Sequence, residues 1–140
     1  MALLVHPASR LQRVRPLVIG AALTAAATLA LHVRDPHVSG SWGFCPWLAL
    51  TGTYCPGCGG LRAVNDLTHG DLGAALSSNV LFVIAIPLIV GWWMVAFRRA
   101  WSGSRMLSDQ GALRLSKVLI VVGLVFWVVR NLPGLEWLRP

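Results

Sequence analysis

The sequence predicts an all-α fold: a small polytopic membrane protein of about three transmembrane helices, with a cysteine-containing interfacial loop between the first and second. Three observations predict it. Hydrophobic residues make up 56% of the 140 residues and charged residues only 12%, about half the charged share of a soluble domain. Three long apolar runs punctuate the chain. The basic residues gather at the ends of those runs, where such charges set membrane orientation. A mean hydropathy of +0.66 excludes a soluble globular, disordered or fibrous chain. The net charge of +7 does not point to nucleic acid, because no basic stripe interleaves with exposed aromatics. With no repeat, long linker or biased tract, residues 1–140 read as a single membrane domain.

Residues 1–15 form a cytoplasmic amino terminus carrying Arg10, Arg13 and Arg15. Residues 16–33 form the first transmembrane helix, just long enough for a bilayer core at 1.5 Å per residue. Gly20, Thr24 and Thr28 recur at four-residue spacing there, which allows close helix approach in lipid. The rival reading is a signal peptide cut near Ala25-Ala26-Ala27, but that site lies inside the apolar run rather than after it.

Residues 34–78 form an extracytoplasmic loop, and residues 79–97 the second transmembrane helix. Pro87 should kink that helix. Trp92, Trp93 and Trp101 cluster at its far end as an aromatic belt. Residues 98–112 form a cytoplasmic loop. The third apolar run, Val118 to Val129, is short, but its flanks extend it to a helix over 113–132, with Lys117 and Arg130 snorkelling to the two interfaces. Pro133-Gly134 ends it, leaving 133–140 as an extracytoplasmic tail.

Basic residues in short loops orient the chain. Arg10, Arg13, Arg15, Arg98, Arg99, Arg105, Arg114 and Lys117 lie on one side with only Asp109 as an acid. Arg34, Arg62, Arg130 and Arg139 lie on the other, matched by Asp35, Asp66, Asp71 and Glu136. The first side should be cytoplasmic, in a plasma (inner) membrane.

All three cysteines, Cys45, Cys55 and Cys58, fall in the outward loop. The loop is too apolar to be solvated: Trp42, Phe44, Trp47, Leu48, Leu50 and Tyr54 should bury in the interface or against the helices. Two short helical or turn pieces are expected. One is amphipathic over Gly60 to Leu67, with Leu61, Val64 and Leu67 at helical spacing. It should start at or just after Cys58 and stop at His69-Gly70. Asp71 reads as the N-cap of the segment leading into the second span, and Asn79 as a cap or an interhelical hydrogen-bond donor.

Three chemistries suit these cysteines. In an oxidising compartment they form a staple, either Cys45 with one of the pair or Cys55 with Cys58, leaving one thiol over. As metal ligands, Cys-Pro-Gly-Cys-Gly has the shape of a zinc knuckle, with Cys45 as third ligand and His69 or His37 as fourth. As a redox pair, Cys55 and Cys58 sit at a helix N-terminus that favours thiolate, with Cys45 as the resolving thiol. Covalent haem is excluded because Gly59, not histidine, follows Cys58. Arg62 is either a lipid-phosphate anchor or a partner for Asp66, for carbonyls or for thiolates of the cysteine turn. No Ser–His–Asp order, phosphate loop or zinc-protease helix is present. No charged residue falls near the middle of the second span, and the third apolar run is flanked rather than interrupted by charge, which argues against transport by this chain alone.

The run Cys45-Pro46, Thr51-Gly52, Cys55-Pro56-Gly57-Cys58-Gly59 and Arg62-Ala63 resembles a bacterial membrane-protein family catalogued as domain of unknown function 2752. Downstream, Leu67, His69-Gly70-Asp71, Ala74-Ala75 and Asn79 continue the likeness, from Cys45 to about Leu81. Leu61 stands where a threonine is common in that family, and Val80 where a proline is common. The resemblance implies a membrane location and a motif, with no established reaction. The leading expectation is therefore a non-enzymatic membrane component. Its loop, clamped by disulfide or zinc, would serve a membrane-protein partner, a second copy of the chain or lipid. The alternative is a membrane thiol–disulfide oxidoreductase.

Overall fold

A computed structural model describes residues 9–104 and 109–140. It is all-α among the described residues. Residues 1–8 of the amino terminus and Arg105 of the loop over 98–112 lie outside the described residues.

Five helices follow in order: α1 Arg10–Val33, α2 Pro46–Thr51, α3 Gly60–Thr68, α4 Leu72–Ser102 and α5 Asp109–Asn131, with a 3-10 turn at Glu136–Leu138. Three of them, α1, α4 and α5 from Gln110, are long and apolar enough to cross a membrane. The cysteine loop lies between the first two of these.

Each long helix starts before its predicted span, and α4 also runs past its end. α1 starts at Arg10 rather than residue 16, because Ser9 and Gln12 form a reciprocal capping box that satisfies two orphan N–H groups. Pro16 is accommodated within its early turns. α4 starts at Leu72, capped by the Asp71 side chain on the Ala74 N–H at 2.8 Å. The last seven residues assigned to the loop are therefore helical. Pro87 lies within α4 at helical backbone angles. The helix instead leaves helical geometry at Asn79, at φ −165° and ψ 95°, for a reason set by the cysteine loop below.

The two ends of the molecule are distinct. At one end Arg13 Nε donates to the Ala100 carbonyl at 2.9 Å, placing a cation on the C-terminal turn of α4, where the helix dipole favours it. Trp93 Nε1 donates to the Leu17 carbonyl at 3.3 Å, and Trp93, Phe97 and Trp101 stack in series. At the other end the C-terminus of α1, all of α3, the start of α4 and the C-terminus of α5 converge on the cysteine loop. Asn65 Nδ2 ties α3 to the Leu31 carbonyl of α1 at 2.7 Å.

Burial is inverted relative to a soluble protein. The buried positions of α3 are Gly60, Ala63, Asn65 and Asp66, whereas Leu61 is exposed. Small and polar groups pack inward because, in lipid, close backbone approach and hydrogen bonds hold helices together. Of the apolar loop residues, Trp47 packs edge-on against Trp127 of α5 and Leu48 and Tyr54 are half-buried, whereas Phe44 is 81% and Leu50 86% exposed.

Candidate metal centre

Two short helices bring the cysteines together. Cys45 is the N-cap of α2, with Pro46 at the first helical position, where a missing N–H costs nothing. Thr51 Oγ1 bonds the Trp47 carbonyl at 2.8 Å, and Gly52 closes α2 in the left-handed region at φ 69°. Thr51 and Gly52 thus shape the turn that returns the chain to Cys55. Cys58 N–H donates to the Cys55 carbonyl at 3.1 Å. Gly59, at φ 82°, then opens α3. A side chain at Gly59 would collide with the Ser78 carbonyl and the Pro140 ring, so this turn sits directly on α4.

The three sulfurs form one triangle. Cys55–Cys58 is 3.0 Å, Cys58–Cys45 is 3.3 Å and Cys45–Cys55 is 3.6 Å. They are the cysteines of the one group of three or more potential metal ligands among the described residues. Cys58 is buried, and burial, with the neighbouring thiols, pushes it up to about 12. The Leu48 backbone N–H holds Cys45 below the usual thiol range.

Neither histidine considered as a fourth ligand joins this group. His69 caps the far end of α3, about 14 Å along a nine-residue helix from the cysteine turn. Its ring stacks on His32 at 4.3 Å, and its Nδ1 meets the Asn65 carbonyl at 2.9 Å. His37 lies between Asp35 at 2.8 Å and Asp66 at 3.4 Å. Arg62 does not pair with Asp66, whose carboxylate instead accepts from Ser78 Oγ at 2.9 Å. Arg62 Nε reaches the Pro36 carbonyl at 3.4 Å, and its side chain lines a cavity of about 520 Å³ shared with all three cysteines.

Beneath the cysteines is a layer of which the sequence singled out only Asn79, as a cap or hydrogen-bond donor. Arg130, expected to snorkel outward, is fully buried. One Nη donates to the carbonyls of Cys55 at 2.8 Å and Cys58 at 3.1 Å, with Pro56 at 3.5 Å, and the other to Leu138 at 2.9 Å. Its guanidinium lies over the rings of Phe126 and Tyr54. No carboxylate pairs with it among the described residues. A buried cation without an anion is expensive, and the groups next to it that can become anionic are the thiols of Cys58 and Cys55 and the phenol of Tyr54, of which a thiol ionises the more readily.

Asn79 completes the layer. Its Nδ2 donates to the Pro56 and Cys58 carbonyls at 2.9 and 3.0 Å, while its Oδ1 accepts from the Phe82 N–H at 2.9 Å. One side chain therefore caps the second part of α4 and holds the cysteine turn. That double duty is why the helix breaks there. Asn131 grips the Tyr54 backbone in both directions, at 2.9 Å each way. The signal for Asn79, Arg130 and Asn131 was their polarity at the ends of apolar helices, where polar groups face protein rather than lipid.

A family model described as "Protein of unknown function (DUF2752)" matches residues 45–93, the family the cysteine motif resembles. The match takes in α2, the cysteine turn, α3 and α4 as far as Trp93. Arg130 and Asn131 lie outside it. No curated protein and no solved structure matches the chain.

Proposed function

We propose that this integral membrane protein holds one thiophilic divalent ion, zinc by preference, on Cys45, Cys55 and Cys58. The ion clamps the loop on the extracytoplasmic face of the plasma membrane, with the amino terminus in the cytoplasm. The clamped loop is a non-enzymatic platform for a membrane partner, its exposed Phe44 and Leu50 offering the contact surface.

The observation that carries this reading is the sulfur triangle. A disulfide needs two sulfurs and gives no reason for a third to stand equally close. Three sulfurs bound 2.3 Å from one tetrahedral ion lie about 3.8 Å apart, so the triangle needs to open by less than about 1 Å. Buried Arg130 supports the same reading. Three thiolates on a divalent ion carry one net negative charge, which this one cation balances. The oxidoreductase alternative requires an accessible, readily ionised thiol in the pair. Buried Cys58 does not supply it, which leaves that role to the half-buried Cys55.

The test is metal analysis of freshly purified protein, paired with thiol trapping before and after a chelator. About one ion per chain, with three thiols protected until chelation, supports the clamp. A metal-free protein with a Cys55–Cys58 disulfide that exchanges with added thiol supports the oxidoreductase. An inert disulfide with one free thiol supports a covalent staple.

A further inference from the structure

We infer that the ion's fourth position is open to the cavity and takes a small monoanion from outside the chain, with Arg62 as its counter-charge. This inference rests on the metal reading above. Three features of the fold carry it.

First, the protein supplies three ligands and no fourth among the described residues. Structural zinc sites close with four protein ligands, whereas three protein ligands with an open position mark sites that bind an exchangeable group. Second, the open side is a real space. The cavity of about 520 Å³ is bounded by Cys45, Cys55, Cys58, Gly59 and Arg62, roomy enough for a small ligand. Third, the cavity carries a cation of its own that the three-thiolate centre does not need for neutrality. Arg130 offsets the single negative charge of the three-thiolate centre from below. Arg62, half-buried, lines the cavity and is paired with no carboxylate among the described residues. Its Nε contact to Pro36 is long, at 3.4 Å, and anchors the side chain without neutralising it. A monoanion on the ion meets that charge, whereas a neutral donor does not. Lining the cavity with an arginine therefore selects the charge class of the ligand. The binding step is simple ligand exchange: the anion's lone pair forms the new metal bond and a bound water leaves, with no change of oxidation state.

The experiment uses the full chain in detergent, loaded with Co²⁺. Near-ultraviolet charge-transfer bands report cobalt on the thiolates, and visible bands report the fourth ligand. Azide is the anionic probe and imidazole the neutral one. Azide should shift the visible bands saturably. Arg62→Gln should weaken azide about tenfold, the size of one charge-assisted contact, and leave imidazole unchanged. Arg62→Lys should restore most of the azide affinity, which separates lost charge from a damaged fold. Charge-transfer bands with visible bands indifferent to azide would overturn the open position while leaving the metal reading intact. Equal azide affinity in wild type and Arg62→Gln would overturn the role of Arg62. The absence of charge-transfer bands would overturn the metal reading itself.

Discussion

Replacing Arg130 with methionine probes the layer beneath the cysteines most sharply. The side chain makes four contacts to carbonyls, at 2.8, 3.1, 3.5 and 2.9 Å. Three of its acceptors have a second donor. Pro56 and Cys58 also receive Asn79 Nδ2, and Cys55 receives the Cys58 N–H. The Leu138 carbonyl depends on Arg130 more heavily. Each lost charge-assisted bond costs about 1.5–3 kcal/mol, but removing a buried cation returns several kcal/mol of desolvation. The fold of the metal-free protein should therefore change little. The metal form should suffer, because the thiolate centre loses its counter-charge and the turn loses its brace. Outer-shell losses of this kind reduce metal affinity about 10–100-fold, or about 1.4–2.8 kcal/mol. Arg130→Lys keeps the charge and loses the fork, so it should fall between wild type and Arg130→Met. The assay is chelator competition on purified protein, with thermal unfolding of the metal-free form as the control. Equal metal affinity in wild type and Arg130→Met would refute the reasoning. So would an Arg130→Lys variant as weak as Arg130→Met.

Three further outcomes follow from the same geometry. Asn79→Asp keeps the cap on Phe82 but turns an acceptor toward the Pro56 and Cys58 carbonyls. It should destabilise the protein by more than Asp71→Asn, a conservative change at an exposed cap worth at most about 1 kcal/mol; detergent thermal melts compare the two. Gly59→Ala meets both a left-handed backbone and a collision with Ser78 and Pro140, whereas Gly40→Ala, at φ 78°, has open space around it. The first should abolish stable protein, and the second should cost only about 1–2 kcal/mol of backbone strain, read as folded yield and melting temperature. In reduced, metal-free protein, the Cys45 alkylation rate should level off at lower pH than that of a free cysteine. The Cys58 rate should still be rising at the highest pH tested, because its thiolate forms only near about 12. Mass spectrometry of alkylated peptides across pH reads both.

The apolar runs made the three long helices legible, and the Asp71 cap and the stop at His69-Gly70 could be read from local chemistry alone. What could not be read depends on contacts between distant segments. The spacing of Cys45, Cys55 and Cys58 permits several pairings. Their convergence requires α2 to fold back at Gly52 and α3 to start at Gly59. An arginine near the end of an apolar helix normally reaches for water. Arg130 turns inward because the cysteine turn and Leu138 present carbonyls within its reach, a feature invisible in its own neighbourhood. Proline is the usual breaker of a helix, and nothing in the local sequence marks Asn79 as a second one. The break at Asn79 comes from a side chain claimed by another loop. His69 looked usable by composition, yet a nine-residue helix carries it away from the sulfurs.

X-ray absorption at the metal edge of the purified, metal-bound protein tests the central claim most directly. The account predicts three sulfur neighbours at about 2.3 Å and one lighter atom completing the shell. A shell of two or fewer sulfurs, or one made only of nitrogen and oxygen, would contradict it.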